Sequence, residues 1–149
     1  MRILILNGPP NSGKDTLADN LIKTDCEEWY KASFKTVLYK QTADYYHMDV
    51  DRFITIASNR VLKEMSYPEL DFKSPRQAMI HVSENITKPE HGNDYYGLAM
   101  VDQICGLMSR YNAHNIIIAA GGFDAEVKAL MEAFPHQVWV VHTTAKDCD

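Results

Sequence analysis

The chain of 149 residues is poor in cysteine, in positive charge and in long apolar runs. Cys26, Cys105 and Cys148 are odd in number and follow no metal-ligand or redox spacing. Neither a disulfide framework nor a zinc site is therefore indicated, and the three read as reduced thiols of a cytoplasmic protein. The six histidines are scattered, none at ligand spacing to a cysteine pair. No apolar run approaches bilayer-spanning length, and Ile3 to Leu6 is too short for a signal-peptide core, so no membrane association is expected. A formal net charge of −5 withdraws the global attraction that extended nucleic-acid binding needs. An anionic ligand would have to be held by a few local cations.

What remains is the composition of a soluble globular protein, 46% hydrophobic and 23% charged, long enough for one domain with a real core. The first residues carry the clearest signal. Arg2-Ile3-Leu4-Ile5-Leu6-Asn7 is too brief for a helix and reads as a buried strand. Gly8-Pro9-Pro10-Asn11-Ser12-Gly13-Lys14-Asp15-Thr16 follows and opens an amphipathic segment to Lys23. Strand, glycine-bounded loop, lysine and helix is the layout of a phosphate-binding P-loop. Glycines let backbone N–H groups approach a phosphate, and the helix adds unpaired N–H groups and the positive end of its dipole. Lys14 would reach the β- and γ-phosphates. Asp15 stands where the motif has a hydroxyl, and Thr16 comes one place later. Asp15 either helps hold Mg²⁺ through water, with Thr16 on a phosphate oxygen, or simply favours a helix N-terminus.

Further along, Trp29 to Phe34 predicts a short strand and Lys35 to His47 a helix. Val50, Phe53, Ile54, Ala57, Val61, Leu62 and Met65 predict one helix from Val50 to Met65. Ser74-Pro75-Arg76-Gln77 has the residues of a capping box with proline at the first helical position. Arg76 is electrostatically misplaced in that first turn, so it is either a plain surface charge or an anion ligand. Ile86 to Asn93 reads as turn-rich, and Asp94 to Tyr111 as a long helix burying Leu98, Val101, Ile104, Cys105 and Met108. Tyr95 and Tyr96 at its start are either packing residues or a platform for a base. Asn115 to Gly122 predicts a strand buried on both faces, Phe123 to Phe134 a helix, and Gln137 to His142 the last strand. Strands separated by helices imply a parallel sheet that binds ligands at its carboxyl edge.

Together these pieces resemble the phage-type deoxynucleoside monophosphate kinases of the P-loop nucleoside monophosphate kinase superfamily. The likeness rests on Gly8 to Thr16, on Ala32-Ser33-Phe34, on Ser74-Pro75-Arg76, on Asp94-Tyr95-Tyr96, and on Ile116 to Ala120 followed by Phe123-x-x-Glu126. It covers nearly the whole chain. It implies an α/β, three-layer P-loop kinase fold in a single domain, with a small parallel sheet flanked by helices and a helical acceptor-binding region over about residues 35–111. It further implies transfer of the γ-phosphoryl of ATP, with Mg²⁺, to a (deoxy)nucleoside monophosphate, in the host cytoplasm if phage-encoded. Gly8, Asn11, Ser12, Gly13, Lys14, Asp15 and Thr16 would bind ATP, with Asp15 and Thr16 at the metal. Lys14 and Arg76 would serve the chemistry, and Arg76, Lys35, Lys88 and Tyr95 the acceptor.

Two features depart from the relatives. Where they carry Asp-x-Arg-Phe after the third strand, this chain has Ala120-Gly121-Gly122-Phe123, with Asp124 and Glu126 on the following turn. No arginine occurs after Arg110, so the lid arginines have no counterpart, and the chain is either a short form or lacks something downstream. Three readings follow: a (deoxy)nucleoside monophosphate kinase, a kinase of another small phosphorylated metabolite, or a non-catalytic ATP-binding regulatory protein. Apolar helix faces would serve a homodimer interface as readily as a core, which leaves the oligomeric state open.

Overall fold

A computed structural model describes residues 1–8, 13–24, 27–119 and 124–143. The chain forms two compact units, one of Met1–Phe34 with Tyr96–Asp149 and the other of Lys35–Tyr95. The elements of the first are β1 (Arg2–Asn7), α1 (Lys14–Thr24) and β2 (Tyr30–Ala32). Those of the second are α2 (Lys35–Tyr45), α3 (Val50–Ser58), α4 (Pro75–Ile80), a π-helical turn (His81–Thr87) and α5 (Lys88–His91). The chain then returns to the first unit through α6 (Tyr95–Tyr111), β3 (Asn115–Ile118), α7 (Asp124–Ala133) and β4 (Val138–His142).

The four strands pair in the order β2-β3-β1-β4, every pairing parallel. In register, Ile3 meets Ile116 and Val138, and Ile5 meets Ile118 and Val140. Side chains alternate along a strand, so Ile3, Ile5, Ile116 and Ile118 face one way and Leu4, Leu6 and Ile117 the other. Ile3 to Leu6 of β1 and Ile116 to Ile118 of β3 are all apolar because both faces of these strands are covered. The connection from β1 to β2 runs opposite to those from β2 to β3 and from β3 to β4. Right-handed crossovers then place the connecting helices on opposite faces. The packing agrees: Ala18, Leu21 and Ile22 of α1 lie with Leu4, Leu6, Ile117 and Trp29. Met100 and Ile104 of α6 and Leu130 of α7 lie with Ile3, Ile5, Ile116 and Ile118. The α/β class and the parallel sheet flanked by helices are thus as the sequence predicts.

At the first residues of β1 and β3, a polar cluster in which Asn115 is buried and Arg2 and Glu27 are exposed fixes the opposite end of the sheet. Arg2 Nε donates to Asn115 Oδ1 at 3.0 Å, and Asn115 Nδ2 donates to Glu27 Oε2 at 3.1 Å. Arg2 also pairs with Glu27 and stacks its guanidinium over Trp29.

Three expectations are corrected. The long helix from Val50 ends at Ser58, because Asn59 leaves the helical region and its Oδ1 accepts from Val61 N and Leu62 N. A side chain that satisfies local N–H groups in this way competes with the helix. Val61 and Met65 are consequently exposed instead of buried. Ile86 to Asn93 is helical up to His91 and not turn-rich. Lys88 N reaches back to Ser83 O, and this wider register accommodates Pro89, which has no N–H to donate. On α6 the buried stripe is Tyr96, Gly97, Met100 and Ile104, while Leu98, Cys105 and Met108 are exposed. The face is chosen at Gly97, where an added Cβ would lie 2.7 Å from Glu126 O and 2.8 Å from Glu126 Cα of α7. Only a glycine lets the two helices approach this closely.

Within the helical unit, Phe53, Leu70, Ala43, Met48, Ile56, Ala57 and Ala78 form a separate core. His47, with φ of 55°, ends α2 while Met48 N bonds Ala43 O at 2.9 Å, a left-handed cap. The capping box at Ser74 is as expected: its Oγ accepts from Gln77 N at 3.2 Å, and Gln77 Oε1 accepts from Ser74 N at 3.0 Å.

Candidate functional site

The carboxyl end of β1 is fixed before the loop begins. Asn7 O accepts from Thr143 N at 2.7 Å and from Thr143 Oγ1 at 3.3 Å, tying β1 to the residue that follows β4. Gly8 comes next, half-buried. Asn11 and Ser12, both expected to bind ATP, lie outside the described residues. The chain resumes at Gly13, whose φ of +86° belongs to the left-handed region. A Cβ there would meet nothing within 4 Å, so the conformation, not crowding, requires glycine.

Lys14 starts α1 and folds back, its Nζ donating to Gly8 O at 2.8 Å. One ammonium therefore spans from the helix start to the strand end, and the two glycines that bound the loop sit at its two ends. Leu17 N donates to Gly13 O at 2.9 Å, which makes Gly13 the first acceptor of the helix ladder. The N–H groups before Leu17 have no partner within that ladder. A helix start with N–H groups outside its own ladder, a positive dipole end and a lysine is suited to an anion. Asp15 and Thr16 are exposed on this first turn. Among the described residues no three His, Cys, Asp or Glu side chains gather as a metal site. A magnesium ion held chiefly by phosphates and water asks for no more than one or two carboxylates from the protein.

Lys35, Arg76, Lys88 and Tyr95 all belong to the helical unit. Lys35 is exposed at the first residue of α2. Arg76 sits in the first turn of α4, as the sequence predicts, with Nε 3.0 Å from Glu64 Oε1; both side chains are more than half exposed. Lys88 is different, for its side chain is almost fully buried and its Nζ lies 2.8 Å from Glu84 Oε1 one turn back. Tyr95 Oη accepts from Gln41 Nε2 at 3.1 Å, and its ring lies 5.2 Å from that of His91.

Two residues with a bearing on the site, Thr143 and Gly97, were not singled out by the sequence, and a third, Glu126, was read only as lying on the turn after Phe123. Thr143 holds the end of β1, and nothing in its neighbourhood of the sequence marks it. Glu126 is buried in the first turn of α7, where a carboxylate complements the dipole. Gly97 sets the distance between α6 and that turn, and nothing in the sequence separates it from Gly106 on the same helix. Elsewhere, burial pushes the Tyr46 phenol above its ordinary range, assisted by Tyr45 and Asp71. Its buried Oη has no hydrogen-bond partner among the described residues.

No described helix is long and apolar enough to cross a membrane. No protein-family model matches the chain, and no curated protein matches its sequence.

Proposed function

We propose that this chain is a P-loop phosphotransferase that moves the γ-phosphoryl group of ATP to a (deoxy)nucleoside monophosphate. The observation that carries the reading is the closure of the loop: Lys14 Nζ on Gly8 O, with Gly13 left-handed at the helix start. It occurs at the carboxyl edge of a strand inside the sheet, where parallel α/β sheets bind ligands. The donor set fits a polyphosphate, since lysine, backbone N–H groups and a dipole are all positive and no described carboxylate but Asp15 lies in that turn.

Mg·ATP, when bound, supplies the activated phosphoryl group and the cation that offsets its charge. The protein's share is positioning and charge. Main-chain N–H groups of the Gly8 to Gly13 loop would cradle the phosphates, together with Asn11 and Ser12. Lys14 has three ammonium donors, so it can keep Gly8 O and still contact a phosphate oxygen. Thr16 would bond another phosphate oxygen, and Asp15 would hold water on Mg²⁺. Arg76 would take the acceptor phosphate, helped by Lys35 and Lys88, with Tyr95 beside the base. The resemblance to the phage-type deoxynucleoside monophosphate kinases supports this assignment, as does the helical unit inserted between β2 and α6.

The second reading, a non-catalytic nucleotide binder, is favoured by Ala120-Gly121-Gly122-Phe123, where relatives carry Asp and Arg. Losing an arginine that stabilises a transferring phosphoryl can cost about 10³-fold or more in rate. Calorimetry with Mg·ATP and a coupled ATP-consumption assay over the common ribo- and deoxynucleoside monophosphates separate the two. Binding with turnover on one acceptor supports the kinase, and binding with none supports the regulatory protein. A kinase of another phosphorylated metabolite would turn over only outside that panel. Lys14→Met should lower Mg·ATP affinity by roughly tenfold or more, the size of one charge-assisted contact. Unchanged affinity would remove the basis of both readings.

A further inference from the structure

The two edges of the sheet differ in kind. β2 is three residues long and carries Lys31, itself 43% exposed, a charge of the sort that blunts an edge strand. β4, Val138-Trp139-Val140-Val141-His142, carries no such charge, and Trp139, Val140 and Val141 are 47%, 39% and 37% exposed. Its register with β1 puts Trp139 and Val141 on the face of Leu4 and Leu6, and Val140 on the face of Ile3 and Ile5. Apolar surface is therefore uncovered on both faces of the same strand, which one packed helix could not remedy but an added strand could.

The main chain of β4 specifies how such a strand would sit. Gln137 O accepts from Ile3 N, and Thr143 N donates to Asn7 O, so the odd-numbered residues turn their N–H and C=O groups toward β1. Val138, Val140 and His142 then present theirs to the open edge, where no described strand pairs with them. We propose that β4 pairs antiparallel with β4 of a second copy, about a two-fold axis through Val140. In that register Val140 faces Val140, and Val138 faces His142, so every outward N–H and C=O finds a partner. Shifting the register to the next position that keeps outward residues opposite each other leaves one of the three outward residues without its partner. Trp139 lies across from Val141 on one face, and no charge opposes a like charge. The contact is isologous and closes on itself, unlike a head-to-tail pairing of β4 with β2 of the next copy, which would propagate.

Size sets its strength. The exposed parts of these three side chains come to roughly 200 Å² per copy, from about 150–250 Å² for a whole aromatic and less for each valine. Even with the main chain added, the total falls short of the ~1,200 Å² of a stable interface, so the dimer should be weak and in exchange.

Sedimentation velocity on the full chain, between about 1 μM and about 1 mM, brackets the affinities such a contact can give. A sedimentation coefficient that rises with concentration, together with growing protection of the Val140 amide from hydrogen exchange, is the expected result. Val140→Lys sets two ammonium groups against each other at the axis and should weaken association at least tenfold. Its far-UV circular dichroism and Mg·ATP affinity should match wild type, since Val140 is already partly exposed and remote from Lys14 in sequence and function. Val140→Thr, which keeps a β-branched uncharged side chain, should still dimerise. A monomer at every concentration overturns the proposal, and if its Val140 amide is nonetheless protected, β4 is covered by another strand of the same chain. A dimer indifferent to Val140→Lys overturns it too, by moving the interface elsewhere.

Discussion

Gly97 and Gly106 occupy the same helix, α6, and differ only in what surrounds them. A Cβ on Gly97 would lie 2.7 Å from Glu126 O, 2.8 Å from Glu126 Cα and 2.9 Å from Ala129 Cβ, whereas one on Gly106 would meet nothing within 4 Å. Replacing glycine by alanine inside a helix gains about 0.5–1 kcal/mol at either site, because the unfolded chain loses freedom and helix propensity rises. At Gly97 that gain is opposed by overpacking, which costs about 1–3 kcal/mol in a typical core. The upper end applies, since two of the three obstructing atoms are backbone and cannot swing aside. Gly97→Ala should thus lose about 1–2 kcal/mol, and Gly106→Ala should gain up to about 1 kcal/mol. Trp29 and Trp139 both belong to the sheet unit, so urea unfolding followed by tryptophan fluorescence reports on that unit. In thermal unfolding read by the same fluorescence, at about 2–4 °C per kcal/mol for a chain of this size, the two variants should melt several degrees apart. If Gly97→Ala is as stable as Gly106→Ala, α6 and α7 do not approach at Gly97 and the choice of the buried face needs another cause.

Tyr46→Phe removes a hydroxyl that is buried with no described partner, so it should stabilise the helical unit by about 1 kcal/mol, seen as a higher urea midpoint by circular dichroism. Because burial raises the folded-state pKa of Tyr46, its contribution is complete below the ordinary tyrosine value of 10.0 and fades as pH rises through the folded value. The phenylalanine variant should lose less stability than wild type at alkaline pH, and an equal loss would show that the phenol does not titrate apart from the unfolded chain. Ser74→Ala removes the acceptor of Gln77 N while leaving the main-chain bond from residue 74 to Gln77 Oε1, and should cost about 1 kcal/mol; a neutral result would mean that Pro75 and the remaining bond fix the start of α4.

Where local chemistry decides structure, it could be read from the sequence. β1 and β3 are short apolar runs bounded by glycine or polar residues, and burial on both faces leaves them no other reading. The Ser74 box is made by residues three apart, so its bonds follow from spacing. The misread segments are those in which two local solutions compete. Asn59 could have continued a helix or capped the next turn, and its side chain bonded Val61 and Leu62 instead. Pro89 and Gly92 announce a turn, yet a single wide register step lets the helix continue to His91. On α6 apolar residues lie on most sides, so the period is visible but its phase is not. The phase follows from contact with α7, a fact of the fold that no window of the sequence contains.

The same limit governs the site, where burial separates two cations that the sequence both assigns to the acceptor. Arg76 and Lys88 each meet a glutamate, but the Arg76–Glu64 pair is exposed on both sides while Lys88 is almost fully buried against Glu84. An exposed pair contributes at most about 1 kcal/mol, so Arg76 can leave Glu64 for a phosphate at little cost. Removing one partner of a buried pair costs about 3–5 kcal/mol; since Glu84 is itself 45% exposed, about half of that is expected for Lys88. If the proposed kinase activity holds, Arg76→Ala should leave the urea midpoint of the helical unit unchanged and raise the KM for the acceptor by roughly tenfold or more, the loss of a bidentate phosphate contact. Lys88→Ala should do the reverse, lowering stability by about 1.5–2.5 kcal/mol with a smaller effect on the acceptor. Urea unfolding and acceptor titrations on the two variants decide it. If Arg76→Ala unfolds the unit as readily as Lys88→Ala, or leaves the acceptor KM unmoved, burial has not sorted the two roles and Arg76 is a surface charge.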